Sequence, residues 1–129
     1  MAYYISTTLN RPFNESIEAV TEALRAEGFG VLTDIDVKET MKKKLDIDYY
    51  NYRILGACNP PYAHKALQAE NKIGTLLPCN VIVQEREPGT VEISAVDPAS
   101  SMEAVNNDKI KPIADEIRQR LQRVITSLK

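Results

Sequence analysis

Cys58, His64, Glu70 and Cys79 are side chains of the types that carry out chemistry, and all four fall within residues 58–79. Cys58 stands directly before Asn59-Pro60, a strong helix start: Asn can cap the first free amides, and Pro at the first helical position loses no hydrogen bond. The positive end of such a helix would lower the thiol's pKa and favour thiolate, the nucleophilic and metal-ligating form. A cysteine at a strand end is equally a small packing residue, and spacing alone does not choose between the two. Pro78-Cys79-Asn80 repeats the arrangement at the mouth of another strand. If the two strand ends converge the thiols could meet, which for a disulfide requires Cα atoms within about 7 Å. His64, the single histidine, falls on the flank of its helix's apolar stripe and reads as exposed. Cys58, His64 and Cys79 together form a sparse metal set of the kind zinc uses, without the tight Cys-x-x-Cys or His-x-x-His spacing. Glu70 comes four residues after Ala66 and three after Leu67, which places a carboxylate inside the apolar stripe. A buried carboxylate must find a partner: Arg53, a tyrosine hydroxyl or the amides of the turn near residues 73–77 would make it structural, whereas proximity to Cys58 would make it a proton-handling acid.

The elements that would position these groups are legible from periodicity. Residues 3–9 read as a first strand ending at Asn10-Arg11-Pro12. Phe13, Ile17, Val20 and Leu24 then mark an amphipathic helix that Gly28 stops. Residues 29–37 alternate as a strand whose Phe29, Val31, Thr33, Ile35 and Val37 would share a mostly buried face. Residues 38–45 make two helical turns whose lysines read as a solvated face. Residues 49–57 form a third strand, with Tyr50, Tyr52 and Ile54 on one side and Tyr49, Asn51, Arg53 and Leu55 on the other. A helix from Pro60 follows, with Gly74 as its end.

Residues 81–86 and 91–96 read as a hairpin around Glu87-Pro88-Gly89-Thr90. A two-residue loop in regular register would set Val81 and Val83 beside Ser94 and Val96 and split the apolar set. One extra residue, with Arg86 opposite Thr90, restores Val81 and Val83 to the face of Ala95 and Ile93, so the connection is expected to be three-residue or bulged. A short helical stretch follows Asp97-Pro98. Ile110, Ile113, Ile117, Leu121, Val124 and Leu128 then stripe a long last helix, with Pro112 tolerated in its first turn.

The order strand, helix, four strands with short inserted helices, long helix is an α+β arrangement, a curved antiparallel sheet packed on the C-terminal helix, in one domain of 129 residues. Sixteen basic against eighteen acidic residues give no global field for phosphate backbones or anionic lipid, so neither nucleic acid nor a membrane is an expected partner. The start shows no charged and apolar leader pattern, and the expected location is the cytoplasm. No Ser-His-Asp set, phosphate-binding glycine loop or metalloprotease helix is present.

The run Tyr52-Arg53-Ile54-Leu55-Gly56-Ala57-Cys58-Asn59-Pro60-Pro61-Tyr62-Ala63-His64-Lys65-Ala66-Leu67, followed by Glu70, Ile73-Gly74 and Leu76-Leu77-Pro78-Cys79-Asn80-Val81, resembles domain-of-unknown-function family 302. The likeness runs over nearly the whole chain, with the Met102 to Asp108 region its weakest part. The resemblance implies a fold similar to the TATA-binding-protein-like arrangement, homodimers, and Tyr52, Arg53, Cys58, Asn59, His64, Glu70, Pro78, Cys79 and Asn80 as residues to watch; it implies no function, and borrowing DNA binding from the fold would be analogy only. Three readings follow. The leading one is a homodimeric module holding a small ligand or a metal ion such as zinc where the Cys58 and Cys79 segments converge. The second is a thiol-dependent redox or sulfur-carrier protein with Cys58 as nucleophile and Cys79 supporting it. The third is a structural interaction protein with no site.

Overall fold

The computed structural model describes residues 2–129. Strands β1 (Tyr4–Leu9), β2 (Gly30–Asp36), β3 (Asn51–Cys58), β4 (Cys79–Glu87) and β5 (Thr90–Val96) are joined by helices α1 (Phe13–Ala26), α2 (Val37–Leu45), α3 (Pro60–Ala69) and α4 (Pro98–Ser101), with a 3₁₀ turn at Ile73–Leu76, and α5 (Ile110–Ser127) closes the chain. All strand pairs are antiparallel and the spatial order is β1-β5-β4-β3-β2. The open antiparallel sheet and long last helix are the α+β architecture that the periodicity predicts. Among the described residues no helix is long and apolar enough to cross a membrane.

The hairpin shows how register follows from burying one face. Val81 lies opposite Ala95 and Val83 opposite Ile93, and all four are fully buried. The extra residue sits in β4 itself, between Gln84 and Glu87, so the pair that closes the turn is Glu87 with Thr90 in place of Arg86 with Thr90. A bulge inside a strand and a longer loop both restore the alternation, and only the former keeps a two-residue turn.

Strand β2 departs from the expected pattern. A register shift between Val31 and Thr33 leaves Leu32 unpaired on this edge strand. Beyond it Thr33 and Ile35 pair with Gly56 and Ile54, on the face away from the core, while Asp34 pairs with Leu55. The face read as mostly buried is therefore covered only in part: Phe29 is buried and Val31 and Val37 are half-buried, while Thr33 and Ile35 are exposed. The bulge turns Asp34 toward Arg53, whose Nε donates to Oδ1 at 2.7 Å. That hydrogen bond holds the Asp34 carboxyl below its usual range, against an upward push from burial. The lysines of α2 behave as a solvated face, pairing with Glu39, Asp46 and Asp48.

Two apolar clusters lie on the helical side of the sheet. The larger joins Val20 and Leu24 of α1 with Val81, Val83, Val91 and Ile93 and with Leu121, Val124 and Ile125 of α5. The smaller joins Ala66 of α3 with Ile73, Met102, Ile110 and Ala114. Each fully buried Leu or Val contributes on the order of 1.5–3 kcal/mol through removal from water.

Candidate functional site

Where the two clusters meet, small residues leave space. Ala57, Ala63, Ala66, Gly74 and Ala114 line a pocket of about 360 Å³ between the ends of β3 and β4, helix α3 and helix α5, into which Ile113, Ile117, Phe29 and Met102 also project. Larger side chains at those positions would have closed the seam at native packing density. The opening lies beside Leu32 and Leu67, which line the pocket and are nevertheless 69% and 44% exposed.

Cys58 and Cys79 both stand in the wall, so the two motif segments do converge on one cavity. Their backbones are adjacent, because Cys79 pairs with Ala57 across β3 and β4. Both thiols are free. Burial pushes the Cys79 thiol up to about 11, with proximity to Cys58 as the lesser cause. It is held as a neutral thiol at physiological pH, a packing group with a weak donor.

A clamp of hydrogen bonds fixes the Cys58 side of the wall. Asn59, expected to cap α3, makes no side-chain cap; its Nδ2 donates to the Glu27 carbonyl at 3.3 Å. Arg120 of α5 donates to the same carbonyl at 3.0 Å, and Arg123 pairs with the Glu27 carboxylate at 3.0 Å. The carbonyl end of α1 is thereby satisfied by tertiary partners, a stronger claim on Asn59 than a local cap because the residue is buried. Gly28 follows with φ +88°, and a Cβ there would meet Asn59 Nδ2 at 3.1 Å, so the turn and the clamp require glycine together. On the other side, buried Asp97 accepts from Ala99 and Ser100 amides and from Arg118 Nε at 3.0 Å, holding Pro98 and Met102 against the cavity.

The remaining residues singled out in the sequence lie elsewhere. His64 is exposed on α3 and does not line the pocket. Among the described residues no group of three His, Cys, Asp or Glu side chains could hold a metal ion, so the set Cys58, His64 and Cys79 is not assembled. Glu70 corrects a second expectation. Helix α3 ends at Ala69 and not at Gly74, which moves Glu70 out of the stripe to a half-buried position where its carboxylate accepts from Asn107 Nδ2 at 3.2 Å. None of the anticipated partners is used, and Glu70 is not in the pocket wall beside Cys58. Arg53 is taken by Asp34, and Tyr52 and Asn80 line a different cleft on the opposite face of the sheet. The pocket residues that sequence reasoning passed over, Phe29, Tyr62, Met102, Ile113 and Ala114 among them, carried one usable signal: small residues recur at 57, 63, 66 and 114, each on the inner side of its element.

Comparison with known proteins agrees with this architecture. The sequence pattern of a domain of unknown function, DUF302, matches residues 5–128. The crystal structure of an uncharacterized conserved DUF302 protein from Bacillus stearothermophilus is similar over 100% of both chains, with 31% identity and a TM-score of 0.91. No curated protein matches the chain.

Proposed function

This chain belongs to the DUF302 family of uncharacterised proteins, and from that premise we propose that it is a binding module holding a small apolar ligand in the pocket walled by Cys58 and Cys79. One observation carries the reading: a cavity of about 360 Å³ whose wall is aliphatic and aromatic apart from two thiols, Asn59 and Tyr62. A space of that size falls at the low end of ligand sites and excludes ions and sugars by desolvation, since almost no wall group could replace their hydrogen bonds with water. Self-association belongs to the same reading, supported by the exposed Ile35, Leu45 and Ile47 along the side of the molecule that carries β2 and α2. In the thiol-carrier alternative Cys79 would support Cys58 only as a neutral thiol, because burial holds its proton.

The test is a fluorescence titration of the full chain with N-phenyl-1-naphthylamine, a neutral apolar probe. A single saturable site is expected, with a dissociation constant on the order of 10 µM. Ala66→Phe, which fills the cavity, should abolish it, and Leu67→Trp at the mouth should weaken it without touching the core. Unsaturable binding, or equal affinity in both variants, would refute the proposal.

A further inference from the structure

The outer face of the sheet carries a second cleft, of about 570 Å³, on the side away from α1 and α5. Alternation makes this inevitable: Val81, Val83, Ile93 and Ala95 enter the core, so Asn80, Ile82, Gln84, Glu92 and Ser94 must point the other way. Tyr3 and Tyr4 from the β1 edge and Tyr52 from β3 wall the cleft. The first pair is fixed edge to face at 5.0 Å between ring centroids, and Tyr52 packs against the stacked Tyr49–Tyr50 pair. The tyrosines converge over the floor from opposite sides of the sheet: burial and then proximity to Tyr49 and Tyr3 raise the Tyr52 phenol above its ordinary range. Tyr3 and Tyr4 are 69% and 44% exposed, although aromatic rings gain from burial and stacking.

The floor selects the chemistry. Asn80, Gln84, Arg86 and Glu92 each end in a planar group with two parallel donor or acceptor positions, suited to pairs of neighbouring hydroxyls. Gln84 Nε2 already donates to Glu92 at 2.9 Å, which holds both side chains in place across the floor. Arg86 and Glu92 are the charged members, and their charges cancel, so the cleft attracts neither anions nor cations. A single guanidinium in a cleft that also holds a carboxylate is not a phosphate-backbone site. A peptide strand has nothing to pair with here, because the floor strands β4 and β5 have neighbours on both sides.

We propose that this cleft binds a neutral polyhydroxylated ligand, a saccharide, with the apolar face of a sugar ring on Tyr3, Tyr4 or Tyr52 and its hydroxyls on Asn80, Gln84, Arg86 and Glu92. This site is independent of the apolar pocket and stands whether or not that pocket is occupied. It also gives a place to Tyr52 and Asn80, which the sequence singles out and the pocket does not use.

The test is amide chemical-shift mapping of the isotopically labelled full chain with the hexasaccharides of glucose in both linkages, xylose, mannose, galactose and N-acetylglucosamine. At least one is expected to shift Gln84, Glu92 and Ser94 while leaving Ala63, Ala66 and Ala114 of the apolar pocket unmoved. Tyr52→Ala and Gln84→Ala should each weaken that binding at least tenfold, and Tyr4→Ala, at an exposed position, gives the same reading without risk to the fold. The proposal is overturned if no member shifts the spectrum at concentrations on the order of 10 mM, or if binding survives all three substitutions. It is equally overturned if Tyr4→Ala converts a dimer to monomers in a chain that takes up no saccharide, which would make this face a subunit contact.

Discussion

Gly56 is the position where the smallest perturbation reaches furthest. A Cβ on this residue would lie 2.2 Å from Thr33 Oγ1 and 2.8 Å from Pro78 Cγ, where ordinary contact begins at 3.4 Å. The two conflicts differ in kind. Thr33 is exposed on the edge strand β2 and can turn its hydroxyl away, at roughly 0.5–1.5 kcal/mol if the new rotamer is strained. Pro78 presents a closed ring that must give by about 0.6 Å to reach ordinary contact, through a change of ring pucker or a shift of its backbone. Overpacking of this kind costs about 1–3 kcal/mol, so Gly56→Ala is expected to lower stability by that amount in urea unfolding, and the melting temperature by roughly 3–5 °C for each kcal/mol. A double-mutant cycle with Thr33→Ala separates the terms: the double variant should recover the threonine part and leave the proline part. Because Pro78 lines the apolar pocket, the residual loss should come with weaker N-phenyl-1-naphthylamine binding. A Gly56→Ala protein within 0.5 kcal/mol of the parent would refute the reasoning, as would full recovery of stability and binding in the double variant.

Other expectations follow from the same packing. Cys79 gives a pH dependence of defined sign: the unfolded thiol ionises near 9 whereas the folded one keeps its proton to about 11, so its contribution is intact below pH 9 and falls by about 3 kcal/mol between pH 9 and 11; urea unfolding of Cys79→Ala should show a shallower alkaline decline than the parent. Asp97→Ala removes the α4 cap and the Arg118 partner from a buried position and should cost about 1–3 kcal/mol in the same assay. His64→Ala, at an exposed site away from the pocket, should leave both stability and probe binding unchanged; a large loss of either would return His64 to the site.

The sequence makes some of this visible and hides the rest for identifiable reasons. Strand parity alone predicts which side of β4 and β5 faces the core, because a one-residue slip would expose Val81 and Val83. The bulge at Leu32 has no such signature: either face of an edge strand tolerates polar residues, so the alternation in residues 29–37 fits an unbroken strand as well. Asn59 carries a genuine capping signal, yet the Glu27 carbonyl, 32 residues away, competes for its amide. Glu70 is misplaced from sequence because helix α3 ends at Ala69, five residues before the glycine that would mark an end. The convergence of Cys58 and Cys79 is legible as a possibility from their matching strand-edge contexts, but the far wall of the pocket comes from α5, whose Ile113 and Ile117 read only as core.

Methyl resonance mapping during a titration with N-phenyl-1-naphthylamine tests the pocket most directly, since the wall is lined by alanine, isoleucine and methionine methyl groups that report contact individually. Saturating shifts confined to Ala57, Ala63, Ala66, Met102, Ile113, Ala114 and Ile117 are the predicted result. Shifts at Ile35, Ile54 or Ile82, or none that saturate, would contradict an apolar ligand site at Cys58 and Cys79.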